Sequence, residues 1–157
     1  MTEKALKPLL VVEDNPGLQK QLKWAFEGYE VHIAGDRASA IELLGEHQPR
    51  VVTLDLGLPP DPANATEGLK ALSEILRLAP HTKVIVVTGN DDRDNALKAI
   101  SLGAYDFYQK PVDPDILALI VDRASQLSEL EEENRRLLEQ TASAPLNGIV
   151  GSSEKML

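Results

Sequence analysis

The chain of 157 residues contains no cysteine, which removes a disulfide framework, a thiolate metal site and a cysteine nucleophile together. Bases are scarce too: 16 Lys and Arg stand against 25 Asp and Glu, and the net charge of −9 repels nucleic-acid phosphates and anionic lipid alike. No direct nucleic-acid partner and no membrane partner is expected of this stretch. Long apolar runs are missing as well. Leu9-Leu10-Val11-Val12 is too brief for the core of a signal peptide, and nothing elsewhere approaches a bilayer span. A cytoplasmic location is the expectation, with one domain of ordinary size plus an appendage.

What is present is a repeating alternation. Short runs rich in β-branched residues recur as LLVV (9–12), VHIA (31–34), VVTL (51–54), KVIVV (83–87) and DFYQ (106–109), and each reads as a buried strand. Between them lie stripes at helical spacing: Leu18, Leu22, Ala25 and Phe26; Ile41 and Leu44; Leu69, Leu72, Ile75, Leu76 and Ala79; Ala96, Leu97 and Ile100. Strand and helix in strict alternation predict an α/β fold, a parallel sheet covered on both faces. The pattern does not give the strand order. It does give the place for chemistry, because open parallel sheets bind ligands beyond the carboxyl ends of their strands.

A last helix begins at Pro114 and runs on. Ile116, Ile120, Arg123, Leu127, Leu130, Asn134, Leu137 and Thr141 have alternating spacings of four and three, the seam of a coiled coil, with Asn134 at a position that selects a parallel two-stranded partner. Glu131 with Arg135 and Glu132 with Arg136 are spaced as i,i+4 pairs along it. The boundaries expected are a domain over 1–125, a helical coiled-coil linker over 126–141 and a Gly- and Ser-containing tail over 142–157.

The polar residues just past the strand ends are Glu13 and Asp14, Asp55, Thr88 and Lys110, while Asp36, after the second strand, reads as a helix N-cap. A parallel sheet brings the first set to one rim. Two carboxylates about 4 Å apart repel by roughly 4 kcal/mol at an effective dielectric near 20, so three acids require cations among them. Lys110 supplies one. A divalent ion supplies the rest, and an all-oxygen cluster without His or Cys suits Mg2+, with phosphate oxygens completing its shell. A carboxylate can attack a phosphoryl group to give an aspartyl phosphate. Asp55, on the central strand, is the expected nucleophile, with Glu13 and Asp14 holding the metal and Thr88 and Lys110 facing the phosphoryl oxygens. Each residue alone has an ordinary explanation as a turn or cap; their joint placement does not.

LLVVEDN (9–15), VVTLDLGLP (51–59), VIVVTG (84–89) and GAYDFYQKP (103–111) resemble, in order and spacing, the receiver domain of two-component response regulators. That resemblance, over about residues 7 to 125, implies a flavodoxin-like doubly wound sheet of order 2-1-3-4-5 and a phospho-acceptor Asp55 loaded by a sensor histidine kinase. It further implies a Mg2+ site of Asp14, Asp55, the Gly57 carbonyl and, through water, Glu13. Thr88 and Phe107 match the switch pair, Lys110 the phosphate-contacting lysine, and Pro111 a cis peptide. The switch would act on a homodimer contact through the fourth helix, fifth strand and fifth helix. With Phe at 107 in place of Tyr, an inward ring needs no hydroxyl partner. PDPANATE between Pro59 and Gly68 is longer than the usual loop of the family.

The tail LNGIVGSSEKML is similar to the opening of the ATPase domain in NtrC-type activators of sigma-54 RNA polymerase, and no G-x-x-x-x-G-K-[ST] comes after it. This implies a piece of a transcription activator whose DNA and polymerase contacts lie in further C-terminal domains. LDLGLPPDP, VTGNDDRDNALKA and GAYDFYQKPVDPD resemble the regulators associated with PEP-CTERM gene clusters. Two rivals use related chemistry. A haloacid-dehalogenase-like phosphatase with Asp55 as nucleophile would need that Asp on its first strand and an acid two residues on, where Gly57 stands. A flavodoxin-like redox domain would need a phosphate cradle where Glu13-Asp14-Asn15 stands.

Overall fold

Strands Lys7–Val12 (β1), Tyr29–Ala34 (β2), Val51–Asp55 (β3), Lys83–Thr88 (β4) and Asp106–Gln109 (β5) pair in parallel in the computed structural model, which describes residues 6–59, 65–89 and 92–143. Their order is β2-β1-β3-β4-β5, the doubly wound order expected. The connecting helices are Pro16–Ala25 (α1), Arg37–His47 (α2), Thr66–Leu78 (α3), Arg93–Leu102 (α4) and Pro114–Ser143 (α5). The period-two alternation of the strands feeds two cores. Leu10, Val52, Leu54, Val84 and Val86 face Leu44, Leu72 and Ile75 from α2 and α3, whereas Leu9, Val11, Val51 and Ile85 face Leu22 of α1, Phe26 just past its end, and Leu117 and Val121 of α5.

Local chemistry fixes where the helices start. Asn15 accepts the Leu18 N–H at 3.0 Å and Pro16 occupies the first turn of α1, where its missing donor costs nothing. Asp36 caps α2 as expected, accepting the Ser39 N–H at 2.8 Å. The fourth helix ends at Gly103, whose φ of 115° closes the turn into β5.

Three expectations need correction. The flanking strands β2 and β5 are edges: Phe107 and Gln109 are exposed, and of β2 only Ala34 is fully buried. Each lacks a neighbour on one side, so half-burial replaces the buried strand anticipated. In α4 the buried face is Ala96 and Ala99, while Leu97 and Ile100 are exposed, because the two small residues set the close approach to the sheet. Finally, Glu131 and Glu132 do not pair along their own helix. Glu131 takes the Lys83 ammonium at 2.6 Å, Glu132 pairs with Arg50, and Glu129 with Lys7; Arg136 turns to Glu133.

Those bridges tie α5 to the amino ends of β1, β3 and β4, so contact with the domain body extends beyond residue 125. The helix is continuous to Ser143 and shows two faces. Leu117, Val121, Ala124, Ser125 and Ser128 pack inward, while Ile116, Leu130, Asn134 and Leu137 of the coiled-coil seam are exposed. Ile120 and Leu127 are half-buried between the two. The side chain of Thr141, most of the tail and the centre of the long loop after Pro59 lie outside the described residues. The end of that loop is helical, since α3 starts at Thr66, two residues before Gly68.

Candidate functional site

The carboxyl rim of the sheet gathers every residue expected there. One carboxylate oxygen from each of Glu13, Asp14 and Asp55 lies within 4.8 Å of the other two. Asp55 ends β3 in the middle of the sheet and is 4 % exposed; its Oδ2 accepts from Lys110 Nζ at 3.0 Å and its Oδ1 from the Gly57 N–H at 3.0 Å. Lys110 is aligned by its own backbone, whose N–H donates to the Thr88 carbonyl at 2.8 Å, and the Lys110-Pro111 bond is cis. Glu13 is held in the same way, its N–H on the Ala34 carbonyl at 2.9 Å and its Oε2 on the Asn15 N–H at 3.1 Å.

Burial and crowding set the charges. The Glu13 carboxyl is raised from 4.5 to about 8, first by burial and then by the charge and hydrogen bond of Asp55, with Asn15 and Lys110 only partly opposing them. For Lys110, burial pulls the ammonium pKa down, but the hydrogen bond and charge of Asp55, then Glu13 and Asp14, more than reverse that and hold it above its ordinary value. The rim is therefore a cluster of acids with one ammonium among them, short of positive charge. A hard divalent cation fits this donor set: three carboxylates with neither sulfur nor imidazole among them match the oxygen preference of Mg2+.

This raised pKa makes stability depend on pH. The folded protein keeps a proton on Glu13 that the unfolded chain releases near 4.5, so the metal-free domain is expected to lose stability as pH rises from 4.5 to about 8 and to level off above that. Melting temperature against pH in the presence of a chelator checks this. Glu13→Gln should flatten the slope, and an unchanged slope in that variant would contradict the assignment.

Thr88, at the end of β4, is 1 % exposed, and its Oγ1 has no hydrogen-bond partner among the described residues. A buried hydroxyl left in that condition is rare in native folds, and here it leaves a hydrogen-bond donor available at the end of β4. Phe107, expected as the aromatic of the switch, stands on the surface at 38 % exposure, so it is not a core residue and its ring is not turned inward. The structure shows the Gly57 amide engaged with Asp55.

Sequence reasoning passes over two features of this rim. Asn15 both caps α1 and holds Glu13, a double role that its place directly after the acidic pair signals. Gly68 lies against the backbone of Leu56, the residue after Asp55: a Cβ built there falls 2.6 Å from the Leu56 carbonyl carbon and closer still to its Cα and oxygen. The absence of a side chain at 68 is what lets α3 press the loop that carries Asp55 into place.

A doubly wound sheet with acids, a hydroxyl and a lysine on its carboxyl rim is the arrangement of a signalling receiver, and lacks the glycine-rich phosphate cradle of a dinucleotide binder. Residues 9–122 match the family model described as the response regulator receiver domain, and the chain belongs to that family. It is 35% identical over 135 residues to the regulatory protein AtoC of Escherichia coli, covering 85% of this chain and 28% of AtoC. It is 31% identical to the nitrogen assimilation regulatory protein NtrX of Azorhizobium caulinodans, covering 85% of this chain and 29% of that protein. The crystal structure of NtrX from Brucella abortus superposes with a TM-score of 0.78 at 32% identity, over 95% of this chain and 32% of that one. The isolated receiver domain of the same protein gives 0.67 at 34% identity, over 74% of this chain and 96% of that one. The chain thus spans under a third of the length of these curated relatives. No described helix is long and apolar enough to cross a membrane.

Proposed function

We propose that this chain, acting in the cytoplasm, takes a phosphoryl group onto Asp55 from the phosphohistidine of a sensor histidine kinase and relays the change through α5 to an output domain. The observation that carries the reading is the unpaired buried hydroxyl of Thr88 on the rim where Asp55 and Lys110 already meet. The Asp55 carboxylate attacks phosphorus; the new P–O bond forms as the P–N bond to the kinase imidazole breaks, and the electron pair returns to that ring. Lys110 and Thr88 face the phosphoryl oxygens, one as a charge and one as a hydrogen-bond donor. Glu13, Asp14, Asp55 and the Gly57 carbonyl are the residues that would hold Mg2+. Bound magnesium supplies neutralisation of the phosphoryl charge.

The phosphoryl group adds roughly −1.5 to −2 charges, and the swing of Thr88 toward it leaves room for the exposed Phe107 ring to turn inward. That rearrangement reshapes the surface where Ile100, Leu102, Ile116 and Leu119 already stand exposed around β5. A homodimer through this face and the α5 seam is the reading it supports, with the tail leading into a sigma-54-activating ATPase and with DNA contacts made by further domains. A phosphatase is disfavoured, since Gly57 stands where a general acid is needed.

Incubation with Mg2+ and a small acyl-phosphate donor should add one phosphoryl increment by intact mass and change the association state on light scattering. Chelation of the metal should abolish both. No increment with metal present would overturn the reading.

A further inference from the structure

Away from the acidic rim, the edge of the sheet carries a different donor set, and we propose that it is a second cation site, for a borderline transition metal of the zinc class. Its ligands are Glu30 and His32 of β2 and His47 in the last turn of α2. One donor atom from each of these residues lies within 4.8 Å of the other two. The sequence places them by register. Val31 and Ile33 pack toward α1 and α5, so Glu30 and His32 face the opposite side, where α2 ends. Because β2 is an edge strand, that side is open to solvent at Glu30.

The two imidazoles stack with ring centroids 3.6 Å apart and planes at 14°. Two imidazoles on one tetrahedral zinc have nitrogens about 3.3 Å apart but ring centres roughly 5 Å apart, so the stacked rings would have to splay open, pivoting about their nitrogen edges, for both lone pairs to meet one cation. His47, the more exposed of the pair, has the freedom to do so. His32 Nε2 supplies the second observation. It is buried and has no hydrogen-bond partner among the described residues; Glu30 Oε1 lies 3.3 Å from it without meeting hydrogen-bond geometry. A buried ring nitrogen in that state is under-satisfied, and a shared cation satisfies it together with His47 and the Glu30 carboxylate. Glu46, whose Oε1 is 3.5 Å from His47 Nε2, stands beside the set.

Two imidazoles and a carboxylate select zinc, nickel or copper over magnesium, which prefers oxygen alone. The two cation sites of the protein therefore differ in chemistry, one on the phospho-acceptor rim and one clipping β2 to α2. Occupancy would stabilise the folded chain by mass action.

The test is a calorimetric zinc titration in the presence of saturating Mg2+, which keeps the acidic rim occupied, paired with thermal melting. Wild type and His81→Ala, which removes the third histidine of the chain, should bind one equivalent and melt higher. Asp55→Asn should bind equally, which separates this site from the phosphoryl reading. His47→Ala should weaken binding roughly tenfold or more, the scale on which even outer partners of a metal site matter, and His32→Gln should do the same. Since His47 is partly exposed, its variant remains folded and is decisive if His32→Gln is not. Zinc uptake unchanged in His47→Ala, or no one-equivalent uptake by wild type, would overturn the proposal.

Discussion

Asp55→Asn is expected to take up no phosphoryl group from a small donor under conditions that load the wild type fully. The substitution keeps the shape of the side chain and an oxygen able to accept the Gly57 N–H, now 3.0 Å from Oδ1. It removes the charged oxygen that attacks phosphorus and replaces the ion pair with Lys110, 3.0 Å long, by at most a neutral hydrogen bond. Loss of a nucleophile acting in a preorganised site costs at least roughly a thousandfold in rate, which leaves no increment on the time scale of a mass measurement. The variant should nevertheless melt no lower than wild type without metal. Asp55 is a principal cause, after burial, of the upward push on Glu13, and its neutralisation relieves the crowding of three acids. A phosphoryl increment surviving in the variant would place the acceptor elsewhere; a markedly lower melting temperature would show that the acid is structural.

The fold is legible in the sequence because burial writes itself into composition. Strands such as Leu9–Val12 and Val84–Val87 are covered on both faces and therefore read as unbroken apolar runs. The edges are less so. DFYQ has the β-branched or aromatic character of a strand only in part, and nothing in four residues states that one side lacks a neighbour; its exposure is set by topology. The face of α4 misleads for a related reason. Ala96 and Ala99 carry little hydrophobic signal, yet small residues are the ones that bring a helix backbone close to a sheet, leaving Leu97 and Ile100 outside.

The candidate site is legible because one geometric rule collects residues from distant stretches: the residue just past each parallel strand lands on the carboxyl rim. The mirror image of that rule applies equally at the other rim. Lys7 and Lys83 open β1 and β4, and Arg50 immediately precedes β3, so three cations meet at the amino rim, where Glu129, Glu131 and Glu132 of α5 pair with them. The Lys7 and Arg50 pairs are exposed and each contribute at most about 1 kcal/mol, and in the Lys83 pair only the Glu131 side is open to solvent, so their effect lies more in orienting the departing helix than in holding it. Helical spacing suggests pairs within α5, and the longer-range partners win because three strand ends present fixed positive charge along one line. The histidine pair is illegible for another reason: residues 32 and 47 have no periodic relation, and their stacking depends on where α2 ends against β2.

Gly68→Ala is expected to destabilise the domain by about 3 kcal/mol or more, a drop of roughly 10 °C in melting temperature, although alanine is the better helix former. Propensity alone favours the substitution by about 1 kcal/mol. Against it stands the backbone of Leu56: a Cβ at 68 falls 2.6 Å from the Leu56 carbonyl carbon, and backbone, unlike the tip of a flexible side chain, cannot rotate aside. Leu56 is itself fully buried, and its N–H donates to the Val87 carbonyl at 3.2 Å, so the strain passes either into the β3 to β4 pairing or into the first turn of α3. Either route displaces the segment bearing Asp55 and Gly57, so phosphoryl uptake should fall together with stability. Gly45→Ala is the matched control. That glycine lies in α2 with nothing near its added Cβ, and its substitution should stabilise by about 1 kcal/mol while leaving uptake unchanged. Chemical denaturation of the two variants side by side decides the matter. Equal stabilisation of both would mean that α3 can withdraw from Leu56 freely, and that the close approach at Gly68 plays no part in holding the Asp55 loop.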